Sequence, residues 1–224
     1  MVPGEKFGAV NSFLLYFITF FVILIYVCIK FNNTGDNEMR VIAGSAKGHK
    51  LETIEGLNTR PTTDRIKETL FNIIAFDLPE CVFLDLFSGS GAIGIEALSR
   101  GAQRAVLVEQ SDLCGKVISR NLEHTRLAQR ARLMQNDVLA ALDKLAAEGE
   151  SFDIIFMDPP YAAGLAKPAL EKIVEGGLLR PEGYVIVERS AQIPLEETAG
   201  LYVEKEKKYK TTVISFLRLE EQET

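Results

Sequence analysis

The stretch VFLDLFSGSGAIGIEALSR, residues 82–100, decides the fold of this chain. Its first part is an apolar run typical of a buried strand, and its last part has the spacing of a helix. Between them stands the pattern G-x-G-x-x-G, formed by Gly89, Gly91 and Gly94. In a strand–turn–helix unit these glycines permit a tight turn and let a ligand approach the backbone. The pattern predicts a binding loop but leaves its ligand open, since a nicotinamide enzyme would show the same triplet.

Strands and helices continue to alternate after this unit. Strand-like runs occupy residues 82–87, 104–109, 131–136, 152–158 and 184–188. Helical patterns lie between them, near 92–100, 112–127, 137–148 and 167–176. Short apolar strands separated by helices indicate βαβ units, and therefore an α/β fold with a parallel sheet covered on both faces.

The two ends of this region have a different character. Residues 201–209 and 211–219 are strand-like runs that predict a terminal antiparallel pair. Residues 62–76 have the spacing of an amphipathic helix. Residues 39–53 predict a small hairpin that turns between Gly44 and Gly48.

Composition excludes several classes of protein. Apolar residues make up 47% and charged residues 25% of the 224 residues, which excludes a disordered chain, a collagen and a coiled coil. The net charge of −6 excludes binding of nucleic acid through overall charge, so any such contact must use local basic patches. The three cysteines, at 28, 81 and 114, lack disulfide or metal spacing, which indicates a reducing compartment. With only two histidines, we predict no metal site.

Residues 1–38 differ from the rest of the chain. Residues 13–29 carry no charge, and a helix of that length would span about 26 Å against a hydrocarbon core of about 30 Å. They could form a membrane anchor, with Lys30 and Arg40 placing the body on the cytoplasmic side. Alternatively, they could be an upstream extension that is never translated, because Met39 opens a complete domain. Both alternatives place the chemistry in residues 39–224, in the cytoplasm.

Two acidic residues narrow the choice of ligand. Asp85 lies inside the first strand, just before the glycine loop, where a carboxylate would repel a pyrophosphate and favour a cation. S-adenosylmethionine carries both an ammonium and a sulfonium. Glu109 ends the second strand, at the place where a carboxylate can accept hydrogen bonds from ribose hydroxyls. The alternative is that both residues only cap strand ends.

Asn136 and Asp137 end the third strand. From that position they could reach the exocyclic amine of an adenine. Asp137 also suits the N-cap of the following helix, and both roles can hold at once.

The tetrapeptide Asp158-Pro159-Pro160-Tyr161 follows the fourth strand and is the most specific feature of the chain. Prolines lack an N–H and fix φ, so that nearby carbonyls can face outward as acceptors. Asp158 and such a carbonyl could accept both protons of an exocyclic amino group and direct its lone pair toward a methyl donor. Tyr161 offers a flat face on which a base can stack. The alternative is a proline-rich turn that ends a strand.

These motifs together resemble the amino-methyltransferase branch of the class I S-adenosylmethionine-dependent methyltransferases. The similarity lies in residues 83–102, in LVEQ at 107–110, in QND at 135–137 and in DPPY at 158–161. Residues 39–51 and RPTTDRIKETLFNII at 60–74 resemble more specifically the RsmD family. That family comprises bacterial small-subunit rRNA guanine-N2 methyltransferases, described for position 966 of 16S rRNA.

The resemblance implies a Rossmann-like sheet of seven strands and a set of site residues. The donor would lie over Gly89–Gly94 and the target base over 158–161, with residues 60–72 closing over the donor. It extends the cofactor site to Arg60, Thr62, Asp85, Phe87, Ser88, Gly89, Gly91, Gly94, Glu109, Asn136 and Asp137. The hairpin would help to hold RNA, and we expect phosphate contacts from Arg40, Lys47, Lys50 and Arg60.

Chain length bears on the substrate. Only 63 residues separate Gly94 from Asp158, and 63 follow Tyr161, which leaves no room for a domain that reads duplex DNA. We therefore expect RNA rather than duplex DNA as substrate. The resemblance implies 16S rRNA or an assembling small subunit as partner, and we expect a monomeric enzyme. Adenine-N6 methylation of DNA and a non-catalytic RNA-binding module are the alternatives. Seven basic residues between 100 and 132 form another candidate RNA surface, or else an exposed helix face.

Overall fold

The computed structural model describes residues 39–54, 64–160 and 164–221. The apolar run at 13–29 and the predicted site residues Arg60, Thr62 and Tyr161 lie outside these ranges. Within the three ranges, no helix is long and apolar enough to cross a membrane.

The described residues form helices that alternate with the strands of one sheet. The helices are α1 (Asp64–Ile73), α2 (Ala92–Ser99), α3 (Asp112–His124), α4 (Val138–Ala147) and α5 (Ala166–Glu175). The strands are β1 (Val82–Leu86), β2 (Arg104–Glu109), β3 (Ala131–Gln135), β4 (Phe152–Met157), β5 (Leu179–Ser190), β6 (Leu201–Lys208) and β7 (Thr212–Leu219).

The sheet has seven strands in the order β3-β2-β1-β4-β5-β7-β6. The first five strands run parallel, and β7 pairs antiparallel with both β5 and β6. The predicted α/β sheet and its terminal antiparallel pair are thereby confirmed. The strand order reverses between β1 and β4, and open α/β sheets bind ligands in the crevice at such a point.

Apolar side chains cover both faces of the sheet. β1 is buried along its whole length, with Phe83 in one apolar cluster and Leu84 and Leu86 in the other. Asp85 points to the same face as Phe83 because successive strand side chains alternate. Helix α2 packs closely on this face, since a Cβ at Gly94 would lie 2.9 Å from Leu107 Cδ2.

The predicted hairpin forms ahead of the sheet. Arg40 and Lys50 are antiparallel bridge partners, and the Leu51 N–H donates to the Met39 carbonyl at 2.8 Å. Gly44 has φ +83°, and a Cβ there would lie 1.9 Å from the Ser99 carbonyl oxygen. Only glycine fits this contact, which brings the turn of the hairpin against the end of α2.

Strand β5 is longer than predicted. Its sequence between 180 and 183, RPEG, is typical of a turn, yet the strand begins at Leu179. Leu179 pairs with Phe152, and Tyr184 pairs with Ile154, so that the register shifts between the two pairs. The turn-like residues therefore form an irregularity within the strand, which sequence periodicity does not reveal.

Candidate active site

A cavity lies at the carboxyl edge of the sheet, between the loop after β1 and the end of β4. Five predicted site residues line it: Asp85, Phe87, Ser88, Gly89 and Asp158. The remaining wall comes from the hairpin, α1, α2, α3 and β4, through Met39, Thr53, Ile54, Lys67, Ser90, Ala92, Ile93, Cys114 and Phe156. The topology thus brings together two motifs that are more than sixty residues apart in the sequence.

In the glycine loop, some residues face the cavity and others pack against the core. Gly89 has φ +57°, and a Cβ built on it would meet nothing within 4 Å, so its backbone faces open space. Gly91 has φ +79°, and its Cβ would lie 3.2 Å from Leu107. Phe87 also has a positive φ of 62°, which is strained for a side chain of this size. Such strain concentrates at ligand sites, and Phe87 lines this one.

Asp85 is a buried carboxyl that bonds to the backbone of the glycine loop. Its Oδ2 accepts a hydrogen bond from the Gly94 N–H at 2.9 Å, and the residue is 1% exposed. Burial raises the pKa of Asp85 to about 7, and the charges of Glu109 and Asp158 contribute in the same direction. A carboxyl that is both desolvated and close to like charges is stabilised by a cation, as the sequence predicts for this position.

Glu109 connects three elements through its carboxylate. Its Oε2 accepts from the Gly89 N–H and its Oε1 from the Ser111 N–H, both at 2.9 Å. The carboxylate therefore ties the end of β2 to the glycine loop and to the start of α3. Each oxygen retains a lone pair, so the predicted ribose contact remains compatible with these bonds. Substitution of Glu109 would disturb the loop as well as any ligand.

Asn136 and Asp137 lie at the exposed end of β3 and do not line the cavity. Asp137 caps α4, since its Oδ1 accepts from the Leu139 N–H at 3.0 Å and the Ala140 N–H at 3.2 Å. The N-cap expected from the sequence is present. The adenine contact of these two residues stays a prediction.

Asp158 follows β4 and lines the same cavity as the glycine loop. Burial raises its pKa to about 6. Pro159 is buried and Pro160 is exposed, and neither lines the cavity. The site thus holds two carboxyls with raised pKa values, Asp85 next to the glycine loop and Asp158 after β4.

Two buried side chains near the site were not predicted from the sequence. Lys67 on α1 is 2% exposed, lines the cavity and donates to the Arg40 carbonyl at 2.6 Å. Its Nζ also lies 3.5 Å from Oε2 of Glu96, which is fully buried. One pattern in the sequence could have revealed that Lys67 is buried. Lys67 stands three residues before Leu70 and four before Phe71, on the apolar side of an amphipathic helix.

Most of the basic residues between 100 and 132 form ion pairs or hydrogen bonds within the domain. Five of the seven contact acceptors within the domain, which favours the structural interpretation of this group. Arg100, Arg104, Arg120 and Arg132 pair with Glu96, Glu150, Glu52 and Glu148, and Arg130 donates to the carbonyls of Leu98 and Ala102. The basic residues of the hairpin, Arg40, Lys47 and Lys50, are exposed, and their contact with RNA stays a prediction.

Comparisons with known proteins agree with this geometry. The sequence pattern of the family described as "Conserved hypothetical protein 95" matches residues 39–218. Ribosomal RNA small subunit methyltransferase D of Escherichia coli K12 is 37% identical over 161 residues, which are 72% of this chain and 79% of that protein. The protein of the same name from Haemophilus influenzae is 32% identical over 179 residues, covering 80% of this chain and 92% of its own length.

A solved structure supports the same relationship. A hypothetical protein of Thermus thermophilus superposes with a TM-score of 0.69 at 30% identity, covering 80% of this chain and 99% of that one. The strand order, the two motifs at the carboxyl edge and the similarity over most of the domain all lead to one assignment. The chain belongs to the RsmD family.

Proposed function

We propose that this chain transfers a methyl group from S-adenosylmethionine to the N2 amino group of a guanine in small-subunit rRNA, at position 966 of 16S rRNA. The observation that carries the proposal is the single cavity that Asp85, the open backbone of Gly89 and Asp158 all line. The relatives named as small-subunit rRNA methyltransferases support the class of substrate.

The residues on the glycine side fit the proposed cofactor. S-adenosylmethionine supplies an electrophilic methyl group on a sulfonium, and its methionine end carries an ammonium. Asp85 provides a buried negative charge for the cationic end, and Gly89 lets the ligand approach the backbone. Glu109 holds Gly89 in place and keeps lone pairs for the ribose.

The residues that follow β4 fit a substrate whose amino group receives the methyl group. Asp158, ionised, accepts one N–H of the target amine, and a carbonyl of the proline segment accepts the other. These two bonds fix the plane of the amino group, so that its lone pair points toward the cofactor side of the cavity. Most of the rate enhancement comes from this alignment, as is general when two reactants are held in a reactive geometry.

The hairpin is the proposed contact for rRNA. Lys47 and Lys50 are exposed, and the hairpin reaches the cavity through Met39. Arg40, Lys47, Lys50 and Arg60 would contact phosphates, which position an RNA without reading its sequence. We further propose that the chain acts as a monomer in the cytoplasm, with residues 39–224 as the methyltransferase domain.

The test uses labelled S-adenosylmethionine and three substrates: small subunits lacking this methylation, naked 16S rRNA and duplex DNA. We expect label in N2-methylguanosine from the ribosomal substrates. Asp158→Ala should lower turnover at least about 100-fold, since it removes the acceptor that aligns the amine, while cofactor affinity measured by calorimetry stays within about threefold. Label mainly in N6-methyladenine from DNA would contradict the proposal, and so would wild-type turnover by Asp158→Ala.

A further inference from the structure

Glu188, near the end of β5, is a buried carboxyl that has no role in the reaction proposed above. It is 5% exposed, and within the described part of the chain its Oε2 has no hydrogen-bond partner. Leaving a buried acceptor without a donor is destabilising, and such groups in folded proteins are rare. The donor for this oxygen is therefore expected to come from a bound ligand.

The register of the sheet places Glu188 beside Asp158. β4 and β5 run parallel, and their last paired residues are Met157 and Val187. One residue further, Asp158 directly follows β4 and Glu188 continues β5. If the alternation continues past Met157, both lie on the face that also carries Phe156 and Ile186. Adjacent strands lie about 4.8 Å apart, so the two carboxyls are neighbours at the carboxyl edge.

The neighbouring strand residues give Glu188 no cation. Its partner across β7 is Ile214. Arg189 points to the opposite face of the sheet, where it pairs with Glu206. Burial and the charge of Asp158 raise the pKa of Glu188 to about 8. Without a ligand, Glu188 therefore holds a proton near neutral pH. A ligand with two adjacent donors stabilises the ionised pair, in which both carboxylates accept.

Guanine has this arrangement of donors. Its N1–H stands next to its N2 amino group, so one edge of the base presents donors at both positions. In adenine and cytosine the ring nitrogen beside the exocyclic amine is an acceptor, which a carboxylate would repel. Neighbouring carboxylates therefore distinguish guanine from the other two bases, which the DPPY tetrapeptide alone cannot do.

We propose that Glu188 accepts the N1–H of the target guanine while Asp158 accepts from its N2 amino group, and that this pair selects guanine. The inference rests on the proposed function, because it assumes that the target amine binds at Asp158.

The test compares guanosine with 2,6-diaminopurine at the target nucleotide of reconstituted small subunits. The analogue keeps the 2-amino group but has an acceptor at N1. With the full-length chain, we expect kcat/KM to be about 10- to 100-fold higher for guanosine, the range typical of one base-specific contact. In Glu188→Gln the amide can donate to the analogue or accept from guanine, so the preference should fall to about threefold or less.

Glu182→Gln is the matched control, because Glu182 lies on the same strand, exposed, at the far end. It should keep the wild-type preference. An unchanged preference in Glu188→Gln would overturn the inference. Equal kcat/KM of the wild-type enzyme for both bases would overturn it too, and this result does not depend on a variant that folds. Either result leaves the proposed function standing, whereas a wild-type enzyme that forms no N2-methylguanosine would refute both.

Discussion

Asp85 shows how a single buried carboxyl on a strand can lower the stability of the domain near neutral pH. Its carboxyl is buried on β1, with the Gly94 N–H as a partner and two other acids nearby. The pKa of Asp85 is raised from its ordinary value of 3.8 to about 7, so the folded chain binds a proton that the unfolded chain releases at lower pH. Stability gained in this way is present below about pH 4 and is lost as the pH rises toward 7.

We expect Asp85→Asn to remove part of this pH dependence. The amide keeps an acceptor for Gly94 but does not titrate. Between pH 4 and 7, the free energy of unfolding of the wild type should fall by up to about 1.4 kcal/mol per pH unit more steeply than that of the variant. Urea unfolding at several pH values measures the difference. Asp112→Asn, at an exposed site, should behave like the wild type, and equal slopes for all three proteins would refute the assignment.

Glu109 gives a second prediction at the scale of one residue. Glu109→Ala removes the acceptor for the Gly89 and Ser111 N–H groups, and we expect it to destabilise the domain by about 1–3 kcal/mol. Glu109→Gln keeps one oxygen acceptor, so it should lose less stability while still weakening cofactor binding about tenfold or more. Thermal unfolding and calorimetry separate the two effects. Wild-type cofactor affinity in Glu109→Gln would exclude a ribose contact.

At the scale of elements, Glu96 holds the hairpin and two helices together. This α2 carboxylate is fully buried and accepts from the Ile42 N–H at 2.8 Å and the Ala43 N–H at 3.0 Å. It also pairs with Arg100 at 2.8 Å and faces Lys67 on α1 at 3.5 Å. The wall of the cavity formed by the hairpin and α1 thus depends on one buried charge in α2.

Glu96→Ala should therefore be among the most damaging single substitutions in the domain. It takes a buried counter-charge away from Lys67, and removing one partner of a buried pair typically costs about 3–5 kcal/mol. Urea unfolding should show this loss. Glu171→Ala, on the exposed side of α5, should stay within about 0.5 kcal/mol of the wild type. A loss below about 1 kcal/mol in Glu96→Ala would contradict the role of Glu96 as the link.

At the scale of the whole molecule, the two apolar clusters are built from residues between 39 and 219. We therefore expect a chain of residues 39–224 to fold and to methylate small subunits with the kcat/KM of the full-length protein. A shorter chain that begins at residue 55 lacks the hairpin, and it should lose stability because the Glu96 carboxylate loses two backbone donors. An insoluble or inactive 39–224 chain would mean that the first 38 residues belong to the domain.

The sequence by itself determined the fold class, the order of most elements and the place of the site. These features are encoded locally: the alternation of strands and helices, the glycine loop after the first strand and the acid–proline segment after the fourth can each be read from neighbouring residues. Strands that share one direction bring such motifs to the same edge, and so Asp85 and Asp158 could be paired before their positions were known.

Only the tertiary structure decided which side chains face the cavity and what else they hold. Gly89 opens to the cavity while Gly91 and Gly94 pack against Leu107, and Glu109 holds backbone N–H groups of two loops. Lys67 is neutralised by Glu96 on another helix, and Glu188 stands beside Asp158 because β4 and β5 are in register. These contacts join residues far apart in the chain, and their geometry depends on strand register and helix packing, which no local pattern of residues specifies.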